Sequence, residues 1–241
     1  VPSATRLTSD LVVTEPFANI AYVIPGLGTW SSATAIVIDR VAGGLPTATS
    51  WSVGGTFALP AGTPAGFGTR CAAAGDVLPT PSGSGIKADL LLLQSGGADP
   101  RVFVFPGREW TGAVAETISE NLPPTPTGED ARSLRLRQET GTTTGGYGAA
   151  LQGDVDLTGD GIADVLVSNP SRRPAVGDGK SIDLFDGSKL AALAGSDVRV
   201  SVTDPLVLES WKGTNGWVLR SDINGQPFAL LKTAQGAARR R

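Results

Sequence analysis

Nine residues in the second half of the chain, 156–164, combine carboxylates and glycines in a spacing that could bind a metal ion. Gly159 and Gly161, at positions 4 and 6 of this segment, allow the backbone to curl tightly. Oxygen atoms then recur at positions 1, 3, 5, 7 and 9, supplied by Asp156, Thr158, Asp160, the backbone carbonyl of Ile162, and Asp164. Calcium takes about six to eight oxygen ligands in a tolerant geometry, so the spacing predicts a calcium site with these five ligands.

Other ions and another loop type fit this segment less well. Magnesium demands a tight octahedron and keeps its waters, and transition metals favour His or Cys ligands, which the segment lacks. An EF-hand loop shares the first nine positions, but it needs a bidentate Glu at position 12, where Val167 stands, and flanking helices, whereas residues 165–167 are strand-like. Two interpretations stay open: a calcium loop that leads directly into a β-strand, and an acidic turn that binds nothing.

The composition argues against several other kinds of chemistry. The 241 residues include no His and one Cys, Cys71, which removes Ser-His-Asp catalysis, Cys-cluster metal sites and internal disulfides. The 20 Lys and Arg against 23 Asp and Glu give a net charge of −3, which disfavours non-specific binding to nucleic acid. The sequence has no apolar stretch of 18 residues, so no membrane span is predicted. We therefore expect no catalytic residues, no organic cofactor and no enzymatic activity.

Turn-forming residues and short apolar stretches predict an all-β fold. The 32 Gly and 17 Pro, about a fifth of the chain, leave little room for long helices. Residues 134–137 (Leu-Arg-Leu-Arg) alternate and predict a half-buried strand, whereas the four leucines at 90–93 predict a strand that is buried on both faces. The remaining predictions are short helical turns at 113–121 and 189–194, an exposed loop or boundary between units at 122–130, and a hairpin at Asn224-Gly225.

Two stretches of the chain, 67–107 and 147–187, share a series of landmarks and indicate an internal repeat. Each begins with an aromatic-Gly pair, continues through Gly-Asp-Val and a Gly-Ile motif that ends in Asp, and closes with Gly after two apolar strands. The interval between the copies is the same at the first landmark and at the last. The acidic loop occurs in the second copy alone, because residues 78–84 replace it in the first. Cys71 corresponds to Leu151, which predicts a small buried apolar side chain at this position.

The second copy resembles an FG-GAP repeat, the β-propeller blade repeat of integrin α chains and of many secreted bacterial proteins. Members of that family carry Phe-Gly, an Asp-x-Asn-Gly-Asp-Gly-x-x-Asp calcium loop and Gly-Ala-Pro. Here Tyr147 stands in place of the Phe, Thr158 in place of the Asn, and residues 168–170 in place of Gly-Ala-Pro. The resemblance is specific over 147–187, degenerate over 67–107 and faint elsewhere.

The resemblance implies one β-propeller domain over residues 1–241, built of four-stranded blades, with calcium in a loop between strands of one blade. At about 55–65 residues per blade, by analogy with other propeller repeats, the chain would hold about four or five blades. It would then form a small or open propeller, or part of a larger assembly.

The resemblance also implies a secreted or cell-surface protein that acts in adhesion by binding a protein or a glycan. The chain begins with Val1 rather than Met, which predicts a processed N terminus. Two alternatives stay open. One is a structural subunit of an extracellular assembly, as a homo- or hetero-oligomer, and the other is an accessory domain of a carbohydrate-active enzyme.

Overall fold

The computed structural model describes residues 10–24, 26, 38–39, 47–48, 55–80, 87–109, 114–137, 146–157, 159–169, 181–199 and 207–212. The strands within these ranges are β1 Leu11–Glu15, β2 Ile20–Ile24, β3 Ile38–Asp39, β4 Thr47–Ala48, β5 Gly55–Ala58, β6 Phe67–Gly75, β7 Asp89–Gln94, β8 Arg101–Phe105, β9 Val114–Thr117, β10 Leu134–Arg137, β11 Leu151–Val155, β12 Asp164–Asn169, β13 Ser181–Phe185, β14 Asp197–Arg199 and β15 Val207–Lys212. One short helix, α1 Gly187–Leu190, runs into a 3₁₀ turn at Ala191–Leu193. The predicted all-β fold is confirmed.

The helical predictions had mixed outcomes. The turn predicted at 189–194 is confirmed by α1 and the 3₁₀ turn that follows it. The turn predicted at 113–121 is wrong, because β9 lies there and pairs with β5. The predicted hairpin at Asn224-Gly225 lies outside the described residues. Among the residues that the structure describes, no helix is both long enough and apolar enough to cross a membrane.

The described strands form three sheets and one separate pair, β3–β4. The first sheet has the order β1-β2-β5-β9, the second β14-β10-β8-β7-β6, and the third β11-β12-β13-β15. Neighbouring strands are antiparallel except at two edges, where β9 runs parallel to β5 and β14 runs parallel to β10. None of the three sheets closes on itself within the described residues.

The three sheets are successive copies of one arrangement. Strands β2, β8 and β13 begin at residues 20, 101 and 181, so the copies follow one another at almost equal intervals. Each of these strands pairs on one side with β1, β7 or β12, and on the other side with an outer strand, β5, β10 or β15. In the second and third sheets an inner strand, β6 or β11, is added beside β7 or β12.

The repeat is longer than the blade length expected from the resemblance. The reason is the long connection that follows β8 and β13 and leads to the outer strands β10 and β15, because each of these connections supplies an extra strand to the preceding sheet. Strand β9 lies between β8 and β10 in the sequence, yet it joins the first sheet, and β14, between β13 and β15, joins the second. The Pro-rich segment 122–130 belongs to the first of these connections. It therefore lies inside the second repeat; of the two predicted alternatives the exposed loop is confirmed, since residues 123–125, 127 and 128 are exposed, and the boundary between units is wrong.

Two apolar clusters fill the spaces between the sheets. Leu91 and Leu93 pack in a cluster with residues of the third sheet such as Val165, whereas Leu92 packs in a cluster with residues of the first sheet such as Phe57. Leu91, Leu92 and Leu93 are at most 3% exposed. The prediction that residues 90–93 form a strand buried on both faces is thus confirmed, since β7 lies at the centre of the structure.

The half-buried strand predicted at 134–137 is wrong, because all four residues of β10 are buried. The leucines face the apolar cluster, and the arginines face the β8–β10 connection, which supplies oxygen acceptors. Arg135, fully buried, donates to Asp130 Oδ1 at 2.5 Å and to the Ser119 carbonyl at 2.9 Å. Arg137 donates to Asn121 Oδ1 in the same connection at 2.9 Å, and also to Asp99 Oδ2, just before β8, at 2.6 Å. The alternating pattern predicted the strand correctly, but it could not show that a loop covers its polar face.

Cys71 of β6 is exposed, so the prediction of a buried apolar side chain at this position is wrong. The alignment behind that prediction is correct. Cys71 lies opposite Leu92, and Leu151 lies opposite Val167 at the same register of the next sheet. Leu151 is partly buried and packs against an apolar cluster, whereas Cys71 lines a cavity of about 560 Å³.

Candidate calcium loop

The acidic segment forms the turn between β11 and β12, and its first carboxylate shapes the curve. Asp156 Oδ1 accepts hydrogen bonds from the backbone N–H groups of Gly159 and Asp160, and its Oδ2 accepts one from Gly161 at 3.0 Å. One exposed carboxylate thereby satisfies three successive N–H groups, which holds the backbone in a tight curl. Asp160, also exposed, accepts a hydrogen bond from the Ile162 N–H at 2.9 Å.

Asp164, at the last position of the loop, is in a different environment. It is the first residue of β12 and is 1% exposed. Its Oδ2 accepts a hydrogen bond from the Leu157 N–H at 2.7 Å, and its Oδ1 accepts one from the Gly187 N–H at 3.1 Å. The carboxylate therefore ties the beginning of the loop to the end of β13. We call this arrangement of a buried Asp and the N–H groups on both sides of it the latch.

The second sheet contains the same latch without the acidic loop. Asp89, the first residue of β7, is also 1% exposed. Its Oδ2 accepts hydrogen bonds from Val77 at 2.8 Å and Leu78 at 2.6 Å, and its Oδ1 accepts one from Gly107 at 2.7 Å. Burial raises the pKa of Asp89 from 3.8 to about 6, although the three N–H groups act in the opposite direction.

The latch fixes the alignment of the two copies. Asp89 accepts hydrogen bonds from Val77 and Gly107. Asp164 accepts them from Leu157 and Gly187. The interval of sequence between the two donors is the same in both copies. This alignment makes Asp76 the counterpart of Asp156. The match of Gly-Asp-Val motifs in the sequence had instead placed Asp76 opposite Asp154, which lies at a bulge in β11 with a positive φ of 59°.

The structure thus brings Asp156, Asp160 and Asp164 into one loop, with each carboxylate turned toward backbone N–H groups. No group of three or more His, Cys, Asp or Glu side chains that could hold a metal ion is present in the described residues. Thr158 lies outside the described residues. A carboxylate oxygen has two lone pairs, so a hydrogen bond from an N–H group leaves it able to bind an ion as well. The donors are all oxygens, which fits calcium chemistry.

Sequence reasoning missed the structural role of Asp89 and treated Asp164 as a ligand alone. A signal for that role was present in the sequence. Both Asp residues directly precede an apolar strand, and the closing glycines, Gly107 and Gly187, recur at the same place in the two copies. An Asp retained where the rest of the acidic loop is lost indicates a role in the fold.

The chain was compared with protein-family models, with curated proteins and with solved structures. No family model matches it, no curated protein matches it and no solved structure matches it.

Proposed function

We propose that this chain is a non-enzymatic, calcium-binding β-propeller module, secreted or displayed at a cell surface, that binds a protein or a glycan. The observation that carries the proposal is the comparison of the two loops. Both are closed by the same latch, and Asp76 of the second sheet is the exposed counterpart of Asp156, but the loop of the third sheet alone adds a second exposed carboxylate, Asp160, and curls its backbone around Asp156. Asp160 is not needed to close the loop, since the second sheet closes its own without a counterpart of that residue.

The arrangement of the sheets supports their interpretation as blades. Four strands of the second sheet, β6-β7-β8-β10, and the four of the third sheet follow one another in chain order and are antiparallel. The glycine of each aromatic-Gly pair lies against the preceding sheet. A Cβ on Gly68 would approach Thr14 Cβ to 2.7 Å, and one on Gly148 would approach Leu93 Cδ1 to 2.6 Å. Successive sheets therefore pack in the same way, as the blades of a propeller would.

In this proposal the calcium ligands are the carboxylates of Asp156 and Asp160, Thr158 and the Ile162 carbonyl. Asp164 is a further ligand, and it also holds the end of the loop in place. Asp156 and Asp160 place two carboxylates of like charge within one curl of the backbone, where they repel each other. A bound divalent cation removes this repulsion, so the order of the loop depends on the ion.

Calorimetric titration of the chelator-treated chain with calcium tests the proposal. We expect uptake of one ion and a rise in melting temperature on saturation, because a ligand that binds only the folded state stabilises it. Asp160→Ala should lose most of the uptake and most of the rise. The matched control is Asp76→Ala, which removes an exposed Asp from the loop of the second sheet and should keep both. Absence of uptake at millimolar calcium, or equal uptake by Asp160→Ala, would refute calcium binding.

A further inference from the structure

A cavity of about 280 Å³ lies where the third sheet packs against the second, beside the aromatic-Gly pair that precedes β11. Its lining includes Thr69 and Arg70 of β6, Leu93 of β7, Ser95, Tyr147 and Ala149. Among the described residues that line it, Arg70 alone is charged. No residue of the candidate calcium loop lines this cavity. It is therefore a separate candidate site with one positive charge.

The Arg70 guanidinium is held in place by the backbone. Its Nε donates to the Ala149 carbonyl at 3.2 Å, and its Nη1 donates to the Thr69 carbonyl at 2.7 Å. The first of these bonds joins the second sheet to the segment that leads into the third. Within the described part of the chain Arg70 forms no ion pair, and its Nη2 group has no acceptor there. A cation fixed in this way loses less conformational entropy when it binds an anion.

Two hydroxyl groups accompany this cation in the lining. Thr69 Oγ1 lies 3.0 Å from the Gly66 carbonyl and 3.0 Å from Ser95 Oγ. Because Thr69 can donate its proton to the Gly66 carbonyl, Ser95 can donate its own proton to a ligand. The side chain of Leu93 supplies apolar surface beside these polar groups.

The repeat does not require polar side chains at these positions of β6. In the second copy alanines stand at 149 and 150, the positions that correspond to Thr69 and Arg70. Arg70 is also exposed, so it does not contribute to the apolar clusters between the sheets. A hydroxyl and a fixed cation that the fold does not need indicate a binding function for this interface.

We propose that this cavity binds the carboxylate-bearing ring of an acidic sugar, such as a uronic acid. A guanidinium matches the two oxygens of a carboxylate, and the single positive charge of Arg70 balances the single negative charge of such a group. The hydroxyl of Ser95 pairs with ring hydroxyls, and Leu93 packs against the C–H face of the ring. Small-molecule sites begin at about 300 Å³, so a cavity of about 280 Å³ admits one ring rather than a longer chain. This inference rests on the glycan-binding part of the proposed function and names its site and ligand class.

Titration of the full chain with glucuronate, followed by NMR shifts of the backbone amides, tests the proposal. We expect a dissociation constant of about 1 mM or tighter, and binding of glucose, the same ring without the carboxylate, to be at least about tenfold weaker. Arg70→Gln should weaken glucuronate binding at least about tenfold, and Ser95→Ala about threefold or more. The matched control is Lys87→Gln, which also removes one exposed positive charge but lies outside the cavity lining, and it should leave the affinity unchanged. Equal melting temperatures establish that the variants are folded.

Several results would overturn the assignment. They are the absence of saturation by about 20 mM glucuronate, equal affinity for glucose, unaltered affinity in Arg70→Gln, or an equal loss in Lys87→Gln. Acetate that binds as tightly as glucuronate would show that a carboxylate alone is recognised. A glutamate peptide that binds more tightly than glucuronate would show that the partner is a protein, and either result would refute an acidic sugar.

The calcium titration keeps this proposal separate from the calcium site. Calcium uptake without glucuronate binding would refute the sugar site and leave the calcium site standing. Glucuronate binding without calcium uptake would support the sugar site and refute the calcium site.

Discussion

Replacing Asp89 with Ala would measure what the latch contributes to stability without any involvement of a metal. The substitution leaves three backbone N–H groups, of Val77, Leu78 and Gly107, without their acceptor. A buried donor that loses its partner costs about 1–3 kcal/mol, so the three together cost about 3–9 kcal/mol.

Part of this loss is offset, because the substitution also removes a carboxylate that is costly to ionise where it lies. Burial raises the pKa of Asp89 from 3.8 to about 6. Each tenfold change in the ionisation equilibrium corresponds to about 1.4 kcal/mol, so removal of the carboxylate recovers about 3 kcal/mol of folding free energy at pH 7. The expected net loss for Asp89→Ala, from the middle of the range, is about 3 kcal/mol. The matched control is Asp76→Ala. It removes an exposed carboxylate that accepts one hydrogen bond, from Thr80, and should change stability by less than about 0.5 kcal/mol.

Urea unfolding followed by circular dichroism gives both values from the shift in midpoint at constant slope. The same measurement on Asp164→Ala in the presence of a chelator separates the latch from the metal. Two N–H groups, of Leu157 and Gly187, lose their acceptor, so a loss of about 2–6 kcal/mol should persist without calcium. If Asp89→Ala is no less stable than Asp76→Ala, or if Asp164→Ala loses stability only when calcium is present, the latch does not have the role assigned to it.

Three further predictions concern pH and packing. Because the pKa of Asp89 is raised in the folded state, its protonation stabilises the fold; this stabilising effect is fully present below pH 3.8 and is lost as the pH rises through about 6, and Asp89→Asn should flatten the melting temperature over that interval. Burial would raise the pKa of Asp99, but hydrogen bonds from Arg199 and Arg137 outweigh burial and lower it. Its contribution is therefore present above pH 3.8 and is lost as the pH falls through its lower folded pKa. Asp99→Asn should reduce the melting temperature at pH 7 more than at pH 3. Gly153→Ala places a Cβ 2.5 Å from the backbone of Ala74 and should cost about 1–3 kcal/mol in urea unfolding, so an unchanged midpoint would contradict the close approach of β6 and β11.

The strands could be predicted where the cause lies within a few residues. Four successive leucines predicted a strand buried on both faces, and β7 is one, since it lies between two apolar clusters. Where the cause is distant in the sequence, prediction failed. The burial of Arg135 depends on Asp130 and on the Ser119 carbonyl, which belong to a connection that folds back over β10. Within the segment 113–121, residues Val114–Thr117 form strand β9, which pairs with the outer edge of β5. Neither partner is indicated by the local pattern.

The repeat was visible in the sequence, but its alignment within the loop was not. A match by residue identity favoured Gly-Asp-Val with Gly-Asp-Val, which sets Asp76 against Asp154. The structure instead sets Asp76 against Asp156, because the latch fixes which N–H groups meet the buried Asp. Both β6 and β11 have a bulge just before the loop, with a positive φ at Gly75 in one and at Asp154 in the other. Hydrogen-bonding partners, and not residue identity, define equivalent positions here.

The two loops differ in length as well as in charge, and this bears on how an acidic loop can exist in one repeat alone. The chain from Asp76 to Asp89 is longer than the chain from Asp156 to Asp164, yet both loops end on the same kind of buried carboxylate. Because the latch sets the ends of the loop, the residues between them are not needed to hold the fold. Of the exposed carboxylates the loop of the second sheet has Asp76 alone, whereas the loop of the third has both Asp156 and Asp160. A binding site added to a loop of this kind can change without a change in the sheet below it, which is why Asp89 and Asp164 are expected to matter for the fold with or without an ion, whereas Asp156 and Asp160 would matter for the proposed calcium site alone.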